Sequence, residues 1–514
     1  MDWFDSWALS LAVFIPVVGA LVILAIPKAR EYQIKVVGLV ASIAALIVGI
    51  GILSRWNWDD GGYQFEVNKG WLSAIRSNYH IALDGISLPL FILTLVIVVL
   101  CIIYSWNHWP EPRSPKMLLF LILLLETGML GTFVSLDLIL FFVFFEVTLL
   151  PMYFIIGIWG GEQRIYASIK FFLFTLFGSA FMLVGFLALF FLSEPHTFDI
   201  VELSANGGAA AAVISSTAGL WIFAGLFLGF AIKVPMFPLH TWLPDAHTQA
   251  PTVGSVILAA ILLKLGTYGF VRIALPILPQ AAHSWAPWIG LLAVIGIIYG
   301  SLCCLAQTDL KRLIAFSSVG HMGFVMLGIA TLTPVGINAA IFGMIAHGVV
   351  TGMLFFVAGS IHERYHTRDM SRLGGMLSSI PRMGGVFVLV AFASLGLPAL
   401  AGFPGEFTSM LASFEPAGGL SQSLFRGFMI AAAVGTVLTA GYMLYMLQRV
   451  AQGEVPGEYA GHHLHDIEAP EYVSWTPLIV LTVALGIFPS LVFNVTNSSV
   501  VPMFEQIFHH AIGG

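Results

Sequence analysis

The chain has 514 residues, of which 58% are hydrophobic and only 9% are charged, and its net charge is −6. A soluble domain carries about 25% charged residues, and a membrane β-barrel alternates apolar with polar residues, so both classes are excluded. The composition predicts an all-α polytopic membrane protein, and it offers no basic surface for nucleic acid.

Apolar stretches of about 17–25 residues are typical of helices that cross a bilayer. Fourteen such spans are predicted, at 7–27, 35–53, 86–106, 117–135, 137–159, 169–192, 217–243, 252–274, 286–306, 312–332, 335–360, 385–413, 427–448 and 475–494. The first span is not expected to be a signal peptide, because the only charged residues before it are Asp2 and Asp5 and a basic region is missing.

The lysine and arginine residues predict the orientation of the spans. With the N-terminus outside, the inside loops hold fourteen of these residues and the outside loops hold five. We therefore expect a multi-pass membrane protein with both termini outside. A bacterial inner membrane, with the termini on the periplasmic side, is favoured over an organelle membrane, which the sequence leaves open. Two more lysines, Lys233 and Lys264, lie inside spans.

Two spans are too long and are interrupted by proline. Span 7 contains Pro235 and Pro238, and span 12 contains Pro398 and then Gly402, Pro404 and Gly405. Proline removes a backbone donor and clashes with the preceding turn, so both spans are predicted to be broken helices. Broken helices in two halves of a bundle are typical of inverted-repeat transporters.

Seven titratable residues are predicted at membrane depth, where a charge costs about 2.5–3.5 kcal/mol. They are Glu126, Glu146, Lys233, Lys264, His321, His347 and Glu406. One buried histidine, or one Glu–Lys pair, could serve helix packing alone. Seven such groups with both charge signs, two of them beside the breaks, indicate instead a polar path through the membrane.

Other polar residues are weaker candidates. His240, Asp245 and His247 in HTWLPDAH fit a proton entrance or a structural loop equally well, and snorkelling explains Asp309, Lys311 and Arg312 at a helix end. The tract HHLH (462–465) is typical of a solvated loop, and the three cysteines show no ligand spacing. We therefore predict no metal or iron–sulfur site in this chain.

Four sequence blocks carry a family resemblance. They are SLDLILFFVFFEVTLLPMYFIIGIWG (135–160), KVPMFPLHTWLPDAHTQAPTVGSVILAAILLKLGTYG (233–269), TDLKRLIAFSSVGHMG (308–323) and LPALAGFPGEF (397–407). Over nearly its whole length the chain resembles the antiporter-like membrane subunits of respiratory complex I. It is most similar to the M type, because Glu406 stands where the L and N types have a lysine and because the roughly twenty residues after span 14 are too few for the L-type lateral helix.

The resemblance implies two inverted five-helix repeats, at 117–274 and 286–448, flanked by an N-terminal region 1–116 and a C-terminal region 475–514. It implies that Glu146 pairs with Lys233, that Lys264, His321 and His347 connect the halves, and that Glu406 ends the second half-channel. The implied function is proton translocation within an NADH:quinone oxidoreductase. Flavin, iron–sulfur clusters and quinone would then belong to partner subunits, among them L-type and N-type paralogues, and this chain would hold no redox centre.

Two other functions remain open at this point. A cation/proton antiporter subunit would share the same lysines but would belong to a complex without flavin or quinone chemistry. A haem-bearing subunit could use His321 and His347, which a visible absorption spectrum would detect. The sequence also leaves open the coupled ion, the quinone and the direction of each half-channel.

Overall fold

Apolar runs become helices because a helix satisfies its own backbone hydrogen bonds, which the lipid interior cannot do. The computed structural model describes residues 3–205, 216–459 and 464–511. The principal helices in these ranges are α1 (Trp3–Ala25), α2 (Glu31–Arg55), α3 (Leu88–Tyr104), α4 (Pro115–Val134), α5 (Leu138–Val147), α6 (Leu149–Trp159), α7 (Arg164–Leu192), α8 (Ser216–Lys233), α9 (Trp242–Gln249), α10 (Thr252–Ile277), α11 (Pro279–Leu305), α12 (Leu310–Ala330), α13 (Pro334–Tyr365), α14 (Pro381–Ser394), α15 (Gly402–Phe414), α16 (Gln422–Val450), α17 (Ala469–Ile487) and α18 (Ser490–Ala511).

The predicted class, a helical protein with many membrane spans, is confirmed. Twelve helices in the described ranges are long and apolar enough to cross a membrane, with α5 and α6 counted together. The third and twelfth predicted spans correspond to the shorter apolar helices α3 and α14, so the count of fourteen stays a prediction. The structure also adds α18 after the last predicted span.

A two-stranded antiparallel hairpin, which the sequence analysis did not predict, joins α2 to α3. Its strands are β1 (Gln64–Leu72) and β2 (Ser77–Leu83). Near it, the Arg272 guanidinium at the end of α10 forms a buried ion pair with Asp84, with Nη2 and Oδ1 2.5 Å apart. We call this side of the bundle the hairpin end. The opposite side, around Lys311, Arg312 and Arg368, is the basic end.

One local motif occurs at both ends of the bundle. The Asp137 carboxylate caps α5 at the hairpin end, and the Asp309 carboxylate caps α12 at the basic end. Around each aspartate the backbone pairs with a later segment: Leu138 N with Phe198 O (2.9 Å), Ile200 N with Leu136 O (2.8 Å), Leu310 N with Arg368 O (2.9 Å) and Met370 N with Thr308 O (2.8 Å). Two repeats of opposite direction would place one motif at each end. The boundaries 117–274 and 286–448 stay a prediction.

The helices differ sharply in how far the rest of the protein encloses them. The most apolar windows of α10, α12 and α13 are 100%, 94% and 94% buried, whereas those of α7 and α16 are each 39% buried. The first three helices therefore form the centre of the bundle, and α7 and α16 present apolar faces to lipid. Polar groups on α10, α12 and α13 lie in the region most completely shielded from lipid.

Candidate functional site

Four titratable side chains from α10, α12, α13 and α15 meet at the centre of the bundle. Lys264 Nζ lies 2.6 Å from His347 Nδ1, and the rings of His347 and His321 have centroids 5.9 Å apart. His321 Nδ1 in turn lies 2.6 Å from Glu406 Oε1. The structure thus brings four of the six predicted relay residues into one row of buried polar groups, which we call the central row.

The backbone around Lys264 departs from regular α-helix on both sides. Within α10, Leu258–Leu262 and Phe270–Ala274 are π-helical. A π-turn shifts the hydrogen-bond register and is frequent at functional sites. Lys264 Nζ donates to the Ala259 carbonyl, from the first π-helical segment, at 2.5 Å. The amine is therefore held between that carbonyl and His347.

The second broken helix supplies Glu406 and a further partner for His321. The helix α14 ends at Ser394 and α15 begins at Gly402, so the break lies before Pro404 and Gly405. Proline is tolerated in a first helical turn, where its missing N–H has no intrahelical partner. Ser394 Oγ lies 3.0 Å from His321 Nε2. Sequence analysis did not identify Ser394, although a hydroxyl residue next to a predicted helix break could have been recognised as a candidate partner for a buried histidine.

A small cavity of about 30 Å³ lies among His321, His347, Ser394 and Glu406. Glu406 Oε2 and His347 Nε2 are both buried, and neither finds a hydrogen-bond partner in the part of the chain that the structure describes. A polar cavity of this size can hold one or two water molecules. A bound water would satisfy these two atoms and link His347 to Glu406.

Glu146 and Lys233 form a second, separate group. Lys233 Nζ lies 3.4 Å from Thr148 Oγ1 and 4.8 Å from the centre of the Phe145 ring. The Glu146 carboxyl is close enough for an electrostatic interaction with Lys233, but the hydrogen bond of Lys233 Nζ goes to Thr148, and no ion pair within 4 Å joins Glu146 to Lys233 in this conformation. The direct contact that the resemblance implied is therefore absent from this conformation. Among the described residues, no hydrogen bond joins this group to the central row.

The span that carries Glu146 is interrupted at Thr148, between α5 and α6. The sequence analysis missed this break. Pro151 explains it, because a proline cannot donate to the carbonyl four residues earlier and its ring clashes with that carbonyl, here the one of Val147. The interruption leaves the Thr148 hydroxyl facing Lys233, a contact that sequence spacing alone did not suggest.

The first broken helix lies where its prolines predicted, between the end of α8 and the start of α9. Asp245 forms ion pairs with Lys170 at 2.7 Å and with Arg312 at 3.8 Å. These contacts tie α9 to α7 and α12, which fits the structural-loop interpretation. His240 packs edge-on against Tyr299.

His247, on α9, is the most enclosed member of the predicted HTWLPDAH group. It stacks on Phe355 with ring centroids 4.5 Å apart, and both of its ring nitrogens are buried without a partner among the described residues. Lys311 and Lys264 both lie within its electrostatic reach. His247 is thus placed to connect the basic end with the central row.

The residues at the start of α12 fall into two groups. Asp309 accepts from the Arg312 backbone N–H at 2.9 Å and pairs with Arg368 at 3.3 Å, so its role is structural. The snorkelling predicted for Lys311 is wrong: its side chain is only 5% exposed, and its amine donates to the Ala250 carbonyl. The physical reason is that Ala250 lies between α9 and α10, where its carbonyl has no helical partner.

Glu126 is fully buried but lies outside the central row. It faces α2, where its Oε1 accepts from Ser42 Oγ at 3.0 Å. The structure does not bring it to the other predicted relay residues. Two of the histidines in the 462–465 tract, residues 462 and 463, lie outside the described residues.

Comparison with known proteins places these features in a family. Residues 135–439 match the family described as NADH:quinone oxidoreductase/Mrp antiporter, TM. The NADH-quinone oxidoreductase subunit M of Rickettsia prowazekii is 40% identical, over 96% of this chain and 97% of the relative. A chain of respiratory complex I from Thermus thermophilus superposes with a TM-score of 0.85 and 29% identity, covering 97% of this chain and 99% of that one. A chain of the Mrp complex from Dietzia has a TM-score of 0.83 at 21% identity, covering 99% of each chain, and shares the fold.

Proposed function

The chain belongs to the family of transmembrane subunits of NADH:quinone oxidoreductases and Mrp antiporters, and from this premise we propose that it translocates protons as an M-type subunit of an NADH:quinone oxidoreductase. The observation that carries this proposal is the central row, in which Lys264, His347, His321 and Glu406 follow one another at the middle of the bundle. Each member of that row can gain and lose a proton.

The geometry supports stepwise transfer along the central row. Protonated Lys264 donates through Nζ to His347 Nδ1, and the imidazole releases a proton from Nε2 toward the small cavity. A water there passes the proton to the unpartnered oxygen of Glu406, whose other oxygen lies 2.6 Å from His321 Nδ1. Histidine suits this position because an imidazole can accept a proton at one ring nitrogen and donate one from the other. Each transfer moves one proton, and its donor takes up a new proton from the preceding group before it donates again.

Glu146 and Lys233 are proposed to control when a proton is taken up and released in the first half of the protein. At an effective dielectric constant of 20, bringing a carboxylate from about 10 Å to about 4 Å from an ammonium changes their interaction by about 2.5 kcal/mol. One charge crossing 100 mV is worth about 2.3 kcal/mol. A movement of Glu146 against Lys233 can therefore supply or absorb the free energy of one proton's passage. The absence of a direct contact in this conformation fits the loose state of such a pair.

The partners follow from the same proposal. This chain would lie in a bacterial inner membrane beside other membrane subunits, including L-type and N-type paralogues, with both termini on the periplasmic side. Flavin, iron–sulfur clusters and quinone would bind to other subunits, and this chain would supply the translocating part of the translocase. Affinity purification tests this assembly: flavoprotein and iron–sulfur partners support it, and a complex free of both would contradict it.

A cation/proton antiporter subunit is the second candidate function, because the Mrp chain shares the fold. Against it stand the 40% identity to subunit M over almost the whole length and the carboxylate Glu406 at the second break. The haem alternative is disfavoured by geometry, since Glu406 and Ser394 already engage both ring nitrogens of His321. Without a change of those partners, His321 offers no nitrogen to an iron.

The role of Glu406 can be tested by comparing the pumping activities of two variants. If it accepts and releases protons, Glu406→Asp should retain substantial pumping, whereas Glu406→Gln should lose most of it while the complex still assembles. If Glu406 only holds His321 in place, glutamine, which has the same length, should be the better replacement. Acidification of sealed membrane vesicles by the two variants, measured side by side, distinguishes these roles.

A further inference from the structure

A second and larger cavity, of about 500 Å³, opens at the basic end. It has room for on the order of ten water molecules. Its wall is formed by the α3–α4 loop, the end of α6, the start of α10 and the last turns of α13. The titratable and charged side chains that line it are Tyr104, His108, Lys311, His362, Glu363 and Arg368. No predicted relay residue lines it.

His108, in the loop between α3 and α4, forms an ion pair with Glu363 at this cavity. The two side chains differ in exposure: Glu363 is 35% exposed, whereas His108 is only 10% exposed. His108 Nδ1 faces the carboxylate, and its other ring nitrogen, Nε2, is buried without a partner among the described residues. Tyr104 stacks on the imidazole with centroids 4.7 Å apart and so fixes its plane. The pair therefore has one end in solvent and one end inside the protein.

The same cavity reaches the residues that lead to Lys264. Lys311 lines it, with its amine on the Ala250 carbonyl. His247 lies within electrostatic reach of both Lys311 and Lys264, and its two ring nitrogens are free among the described residues. The order along this path is thus His108, cavity, Lys311, His247 and Lys264. Each of these four side chains can carry a proton.

We propose that His108 and Glu363 form a proton-collecting pair, which takes protons from the solvent at the basic end and delivers them through the water-filled cavity toward Lys264. The inference rests on the proposed function and adds its source of protons. In each cycle Glu363 receives one proton from solvent and passes it to His108 Nδ1. The imidazolium releases one proton from Nε2 into the cavity, so that the pair returns to its starting charge. A turn of the ring then presents the protonated nitrogen to the cavity and the free nitrogen to Glu363, which readies the pair for the next proton.

The charges around His108 favour its protonated form. Burial lowers the pKa of His108, but the hydrogen bond and charge of Glu363, with smaller contributions from Glu471 and Glu468, outweigh it and raise that pKa above its ordinary value. Lys311, Arg368 and His362 face the same cavity from the other side, and Arg364 pairs with Glu471. Because the pKa is raised, His108 holds its proton to a higher pH than an unperturbed histidine does, and it loses that proton as the pH at the basic end rises through the raised value.

The test uses the complete complex in sealed vesicles whose basic end faces the medium. We expect His108→Ala to slow NADH-driven proton uptake by at least about tenfold near and above neutral pH, the scale of a lost proton-transfer group. When the rate of proton uptake is plotted against pH, its fall on the alkaline side should occur at lower pH than in the unchanged protein. Added imidazole should restore uptake, because a free base in the cavity replaces the missing ring. The matched control is His366→Asn, an exposed histidine at the same end that does not line the cavity.

Two outcomes would overturn the proposal. One is a wild-type pH profile in His108→Ala; the other is a slow, assembled variant that imidazole does not restore. If His108→Ala fails to assemble, the test uses His108→Gln, which keeps a hydrogen bond to Glu363. Its proton uptake is measured against pH in the same way, and the proposal requires the alkaline limb to lie at lower pH than in the unchanged protein. Failure here leaves the proposed function standing as long as Lys264→Ala still blocks translocation. If Lys264→Ala also pumps normally, the proposed function itself fails.

Discussion

Replacing Lys264 by alanine is expected to reduce proton translocation by about 100-fold or more, the scale at which a positioned proton-transfer group acts. The amine donates to the Ala259 carbonyl and lies 2.6 Å from His347 Nδ1, and no other titratable side chain hydrogen-bonds to His347 among the described residues. Lys264→Arg should restore the positive charge without restoring translocation, because a guanidinium does not release its proton in proteins.

The Lys264 variants require a check of assembly, since leaving a buried polar group such as His347 without its partner destabilises a protein by about 1–3 kcal/mol. Native electrophoresis of the detergent-extracted complex supplies that check, and NADH-driven acidification of vesicles supplies the rate. Full activity of Lys264→Arg would mean that a fixed positive charge is sufficient and that Lys264 does not exchange protons.

Glu146→Gln is expected to abolish proton pumping and to lower coupled electron transfer strongly, while the complex still assembles. Glutamine has the same size but no charge, so Lys233 loses the electrostatic partner that would control its proton. Thr148 would remain its only hydrogen-bond partner among the described residues. Pumping and NADH oxidation are measured together in vesicles from the variant strain.

The matched control for Glu146→Gln is Glu162→Gln, the same change at an exposed position after α6. This control should pump as the unchanged protein does. Near-normal pumping by Glu146→Gln would show that the carboxylate does not control the proton on Lys233. The proposed role of Glu146 and Lys233 in translocation would then be wrong.

The membrane helices and the first broken helix could be predicted from the sequence because their signals are local. Long uncharged runs are typical of spans, and Pro235 with Pro238 marked a break that lies where predicted. Pro151 was an equally local signal for the interruption at Thr148, and it was missed. The hairpin was missed because a search for long apolar runs passes over short strands with alternating polar residues, such as β1.

The contacts of the central row could not be predicted from the residues alone. Lys264 and His347 are 83 positions apart, and His321 and Glu406 are 85 apart, so their meeting depends on how four helices pack. The π-helical segments that aim Lys264 have no local sequence signal. The direct Glu146–Lys233 contact was an expectation from resemblance, and it depends on a conformation that sequence cannot specify.

The central claim is that protons cross through Lys264, and the number of protons taken up per NADH oxidised tests it most directly. The ratio is measured in sealed vesicles that hold equal amounts of assembled complex with Lys264→Ala or with Lys69→Ala, an exposed lysine of the hairpin. We predict the unchanged ratio for Lys69→Ala and no uptake above the passive leak for Lys264→Ala, whatever NADH oxidation remains. An unchanged ratio in Lys264→Ala would contradict the account.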